Sequence, residues 1–124
     1  MPGLHLIADL SGCPDPADAP LLRDASRLAT LCRREAEAAG LTIVGELFHP
    51  FVDEHGAAAG VTGVLLLAES HVALHTWPER GVVTLDVYVC NVRDDRSAGA
   101  QRLVDALVAA MGPREARLQR VDRR

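Results

Sequence analysis

The stretch Gly60–Cys90 reads GVTGVLLLAESHVALHTWPERGVVTLDVYVC, and the fold is decided there. In its last part, Val83, Leu85, Val87 and Val89 alternate with Thr84, Asp86, Tyr88 and Cys90, so Val82–Cys90 is a strand with one covered and one open face. Glu79-Arg80-Gly81, just after Pro78, reads as a turn. Val61–Glu69 is β-rich and apolar on both faces, and Ser70–Trp77 continues extended as far as Pro78. Working outward, Leu4–Leu10 reads as a first strand and Leu41–His49 as a second. Ser11–Pro20, broken by Gly12, Pro14, Pro16 and Pro20, is a loop, and Pro50–Gly60 lacks any apolar period and is read as another. Leu21, Ala25, Leu28, Cys32 and Ala36 recur at helical spacing. They predict a helix over Pro20–Ala39, with Asp18 at its N-cap and Gly40 as its stop. A second helix is expected over Ser97–Met111, with Leu103, Leu107 and Met111 on one side, and Glu115–Val121 as a last edge strand.

Two helices and five or six strands predict an α+β fold, a two-layer sandwich with both helices on one face of a mostly antiparallel sheet. Val61–Glu69 then has a second apolar face that no third helix covers, so a homodimer is expected. With 124 residues, 48% of them apolar, the chain reads as a single domain, residues 1–124. No apolar run is long enough for a membrane span and no basic leader opens the chain, while Cys13, Cys32 and Cys90 form an odd, unpaired set. A cytoplasmic protein away from membranes is the expectation. The net charge of −4 argues against a nucleic-acid surface. All 13 basic residues are arginine. Without lysine, neither a pyridoxal-phosphate enzyme nor a Walker phosphate loop is available.

Chemistry-bearing residues crowd into the quoted stretch: Glu69-Ser70-His71, His75, Glu79 and Cys90. His71 and His75 have a zinc-like spacing, but on an extended chain they stand about 13 Å apart, too far for one ion, and no metal is expected. A serine triad through Ser70 lacks the Gly-x-Ser-x-Gly elbow. Alternatively, Ser70, His71 and Thr76 are ordinary polar positions on a half-exposed strand.

Taken together, Gly60-Val61-Thr62-Gly63, Glu69-Ser70-His71, His75-Thr76-Trp77-Pro78-Glu79 and Val89-Cys90-Asn91 resemble the processing and active-site region of short prokaryotic S-adenosylmethionine decarboxylase proenzymes. Gly3–Leu10 and Phe48-His49-Pro50-Phe51 resemble the same family, so the likeness spans about residues 3–110. The resemblance implies a chain that cuts itself between Glu69 and Ser70, into residues 1–69 and 70–124, leaving a pyruvoyl group derived from Ser70. Its ketone would form a Schiff base with the substrate amine, the electron-sink role that pyridoxal phosphate fills elsewhere. It further implies His75 as the processing base, Thr62 as the assisting hydroxyl where the family usually has serine, and Cys90 as proton donor. Imidazoles ordinarily titrate near pH ~6.5 and thiols near ~8.5, which suits a base and an acid at neutral pH. Glu79 would hold the ribose hydroxyls of S-adenosylmethionine, Phe51 would stack on adenine, and Trp77 would stand nearby or simply pack beside Pro78. The small-molecule substrate would then be S-adenosylmethionine, and the product an aminopropyl donor for spermidine biosynthesis.

Two departures from the family pattern bear on that reading. VDEHGAAA, residues 52–59, is longer than the usual connection and sets Asp53, Glu54 and His55 near the substrate entrance. An acidic loop there keeps open an ornithine or arginine decarboxylase of the same lineage. From a different class, an unprocessed, non-catalytic binding module is the further alternative.

Overall fold

A computed structural model describes all 124 residues. Six antiparallel strands form one sheet in the order β2-β3-β4-β5-β1-β6. These are β1 (Gly3–Ser11), β2 (Ile43–Val52), β3 (Ala58–Leu67), β4 (Ser70–Trp77), β5 (Val82–Cys90) and β6 (Glu115–Arg123), with α1 (Ala25–Ala38) and α2 (Ser97–Met111) in the two long connections. The fold is the α+β sandwich expected from the sequence. Strand phase explains why it has two layers. Leu4, Leu6, Ala8 and Leu10 stand opposite Val89, Val87, Leu85 and Val83, and the next strand adds Val72 and Leu74 in the same phase. That face is closed by Leu28, Cys32 and Ala36 of α1 and by Leu103, Leu107 and Met111 of α2. Burying each leucine, valine or methionine among them stabilises the fold by roughly 1.5–3 kcal/mol.

The opposite face has no helix over it. Leu47, Val64, Ala73, Asp86, Ile7 and Gln119 form one cross-strand row there. His49, Thr62, His75, Thr84, Asp9 and Arg117 form the next. Leu47 and Leu66 remain 67% and 48% exposed.

The structure corrects three details of the sequence reading. The first helix starts at Ala25, capped by Asp24 through Arg27 N–H, and not by Asp18. The reason is Asp15: its carboxylate takes the backbone N–H groups of Leu21 and Leu22 and the Arg23 guanidinium, fixing that segment as a turn. Pro50–Gly60 is not a loop but the end of a hairpin, in which only residues 53–57 turn. Asp53 accepts from His55 N–H and Ala57 N–H, and Gly56 adopts a positive φ of 77°, so the turn is closed locally. Val61–Glu69 and Ser70–Trp77 do not run on as one extended segment, because the chain reverses at Ala68-Glu69 and Leu67 pairs with Ser70. Consequently β3 lies one strand from the sheet edge, and β4 and β5 are central.

Candidate active site

The expected site residues fall into two groups at opposite ends of β4. At its start, the reversal at Ala68-Glu69 presents Glu69 and Ser70 beside the end of β5. Cys90 N–H donates to Ser70 Oγ at 3.2 Å, which orients the hydroxyl toward β5. Ser70 and Cys90 line a small cleft of about 140 Å³ together with Glu69, Arg93, Asp94 and Arg96. Asn91, next in the chain, ties this end together. Its side-chain amide donates to Ser97 Oγ and its carbonyl accepts from Arg96 N–H, joining β5 to the start of α2.

At the far end of β4, Thr62 and His75 face each other across the β3–β4 pair, with Thr62 Oγ1 2.9 Å from His75 Nδ1. This contact fixes the orientation of the imidazole. The pair opens into a cleft of about 540 Å³ whose walls include Phe51, Trp77, Glu79, Asp53 and Arg23. Phe51 is 48% and Trp77 39% exposed, so both rings offer faces to a ligand. Gly60 forms the floor: a Cβ there would stand 2.2 Å from the Thr76 carbonyl oxygen, so only glycine lets the strands approach. Of the acidic insertion, Asp53 reaches this cleft, whereas the side chains of Glu54 and His55 point into solvent.

The structure therefore assembles Thr62, His75, Phe51, Trp77 and Glu79 in one place and Glu69, Ser70 and Cys90 in another. Ser70 and His75 are five residues apart on one strand, about 16 Å at ~3.3 Å per residue, and in opposite phases of its pleat. Within one protomer they do not meet.

Between the groups lies a cluster that the sequence reading missed. Asp86 Oδ2 is 2.8 Å from both His5 Nε2 and His71 Nε2. No spacing in the sequence signals it, because strand register alone brings three distant positions together. Its donor set resembles a metal site, yet its hydrogen bonds do not fit one. Arg123 Nη1 donates to His5 Nδ1 at 3.3 Å, which leaves the His5 proton on Nε2, aimed at Asp86. An imidazole ligating through Nε2 carries its proton on Nδ1 instead. His71 and His75 share no ion site either, since His71 is held by Asp86 and His75 by Thr62. The other thiols are structural: burial pushes Cys32 up to about 12 and raises Cys13, so neither is a nucleophile.

Residues 4–124 match the family model for S-adenosylmethionine decarboxylase. The chain belongs to that family. A Picrophilus torridus S-adenosylmethionine decarboxylase proenzyme is 34% identical over 121 residues, covering 98% of this chain and 83% of that one. The Aquifex aeolicus proenzyme is 38% identical over 112 residues, covering 90% of this chain and 73% of the other. The crystal structure of the adenosylmethionine decarboxylase from Aquifex aeolicus superposes with a TM-score of 0.81 at 30% identity, over 98% of this chain and 90% of that one. The likeness thus extends to the fold, and the family gives the frame in which the two clusters are read.

Proposed function

We propose that this chain decarboxylates S-adenosylmethionine after cutting itself between Glu69 and Ser70, and that each active site is built from two subunits. The observation that carries this is the division of the site residues between the two ends of β4. One group holds a nucleophilic hydroxyl and a thiol, and the other a base with a large aromatic and acidic cleft. Neither is complete alone. Two sheets stacked by their open faces, with strands running in opposite senses about a two-fold axis, place one end of β4 over the other end of its copy. In the row that lies midway, Leu47, Val64, Ala73 and Ile7 supply apolar surface for such a contact, on either side of Asp86.

In the processing step, Ser70 Oγ attacks the Glu69 carbonyl carbon. The Glu69–Ser70 amide bond breaks, an ester forms, and the hydroxyl proton passes to the freed amine. His75 of the partner subunit, steadied by Thr62 of the partner subunit, takes the Ser70 Cα proton. Elimination then leaves Glu69 as a carboxylate, and hydrolysis with loss of ammonia leaves a pyruvoyl group on residue 70. The exposed turn at Glu69 and the fixed Ser70 hydroxyl fit its formation there. When present, that group offers a ketone to the substrate amine and accepts the electrons released with carbon dioxide. The Cys90 thiol is the group that returns a proton, and the backbone hydrogen bond from Cys90 N–H to Ser70 Oγ at 3.2 Å supports that reading by holding the two residues side by side. Phe51 and Trp77 of the partner subunit flank the adenine, and Glu79 of the partner subunit accepts from the ribose hydroxyls.

Hybrid dimers test this directly. Cys90→Ala and Glu79→Ala chains are each expected to be inactive, and co-expression is expected to give mixed dimers in which one site carries both lesions and the other none. S-adenosylmethionine turnover returns to on the order of a quarter of the wild-type level if sites are shared. No recovery would place each site within one chain. Asp53 beside Glu79 in the cleft favours a second reading, a basic amino acid as substrate. Ornithine or arginine turnover exceeding that of S-adenosylmethionine on the same sample would establish it.

A further inference from the structure

Glu69 is the only non-glycine residue with a positive φ, at 57°. Every other position in that region is a glycine: Gly12, Gly40, Gly56, Gly81 and Gly112. It occupies the second central position of a two-residue reversal, closed by the pairing of Leu67 with Ser70. The reversal is also pinned from outside, since Ala68 N–H donates to the Thr42 carbonyl at 2.9 Å. The Glu69 side chain has only a weak partner, Arg93 Nη2 at 4.0 Å, and both groups are exposed. No side-chain contact accounts for glutamate where glycine is the unstrained choice.

We infer that this strain acts on the scissile bond itself: Glu69 is a positioning residue whose left-handed backbone destabilises the uncut chain and so speeds its self-cleavage. The inference rests on the processing reading above and goes beyond it. In the left-handed region an L-residue's Cβ is crowded against the carbonyl oxygen that follows it. Here that oxygen belongs to the carbonyl that Ser70 Oγ attacks. As the carbon becomes tetrahedral, the oxygen leaves the amide plane and the crowding falls. After the C–N bond breaks, Glu69 is a free C-terminus and its φ is no longer held. The strain is thus present in the reactant and absent from the product.

Two variants separate strain from side-chain chemistry. Glu69→Gly removes both the Cβ and the carboxylate, whereas Glu69→Ala removes the carboxylate and keeps the Cβ. Freshly synthesised chains are followed by gel and mass spectrometry as they are cut. Glu69→Gly is expected to cut roughly tenfold more slowly than wild type, the rate equivalent of one left-handed L-residue. Glu69→Ala is expected to stay within about twofold of wild type by the same argument. In the uncuttable Ser70→Ala background, Glu69→Gly should raise the melting temperature and Glu69→Ala should not. Cleavage of Glu69→Gly as fast as wild type, or no gain in its melting temperature, overturns the inference. Equal slowing of Glu69→Ala and Glu69→Gly overturns it too, because the carboxylate is then what matters. A wild-type chain that stays whole fails differently, removing the self-cleavage on which the inference stands.

Discussion

Thr62 shows what a single hydroxyl does in this fold. It stands across the strand pair from His75, 2.9 Å from Nδ1, so the imidazole is oriented before any substrate arrives. Thr62→Ser keeps that hydroxyl and should leave cleavage near wild type, whereas Thr62→Val should slow it. His75→Ala should slow it by at least ~10²-fold, the scale of a lost acid–base group. The fraction of uncut chain on a denaturing gel reads all three. The three thiols make a second test. Cys32 is fully buried and held neutral up to about 12, Cys13 is also buried and raised, and Cys90 is partly exposed. Brief iodoacetamide treatment of the native protein should label Cys90 first and leave Cys32 untouched, as peptide mapping would show. The sign of the Cys32 shift adds a pH dependence. A thiol raised in the folded state favours the fold below its unfolded value near 9, and loses that contribution as pH climbs toward 12. Midpoints of urea unfolding should therefore fall above pH 9, and less so in Cys32→Ala.

At the scale of elements, what the sequence revealed follows its physical signals. Strict alternation located β5 at Val82–Cys90, and apolar spacing located α2 at Ser97–Met111. Where a polar side chain replaced the usual punctuation, the reading slipped. Asp15 held a turn that resembled a helix start, and Asp53 closed a hairpin that resembled a loop. At Ala68-Glu69 no glycine, asparagine or proline marked a reversal at all, because the residue there is strained. The His5–Asp86–His71 cluster was invisible for another reason, since only strand register unites it. Two element-scale substitutions follow. Asp24→Ala removes the side-chain cap of α1 and should cost about 1 kcal/mol in chemical denaturation. Gly63→Ala drives a Cβ to 2.2 Å from the Phe48 ring, so it should cost roughly 1–3 kcal/mol.

For the whole molecule, the uncovered sheet face is what links fold to function. It carries Thr62, His75 and Trp77 and a middle row with Leu47, Val64, Ala73 and Ile7, while the Ala68-Glu69 turn sits at its edge. On the two-subunit proposal, a charge placed in that row, as in Leu47→Glu, is expected to leave monomers in sedimentation where wild type gives dimers, and to reduce cleavage with it. The membership of this chain in the S-adenosylmethionine decarboxylase family was legible in its central motifs, whereas the separation of the expected site residues emerged only when they were placed on the sheet. Self-cleavage at Glu69–Ser70 is the claim on which all the chemistry depends, and intact-mass spectrometry of the purified protein tests it most directly. Two chains are expected, residues 1–69 and residues 70–124, with the second lighter by one ammonia than simple hydrolysis would leave it. A single uncut chain of 124 residues, indistinguishable in processing from Ser70→Ala, would contradict it.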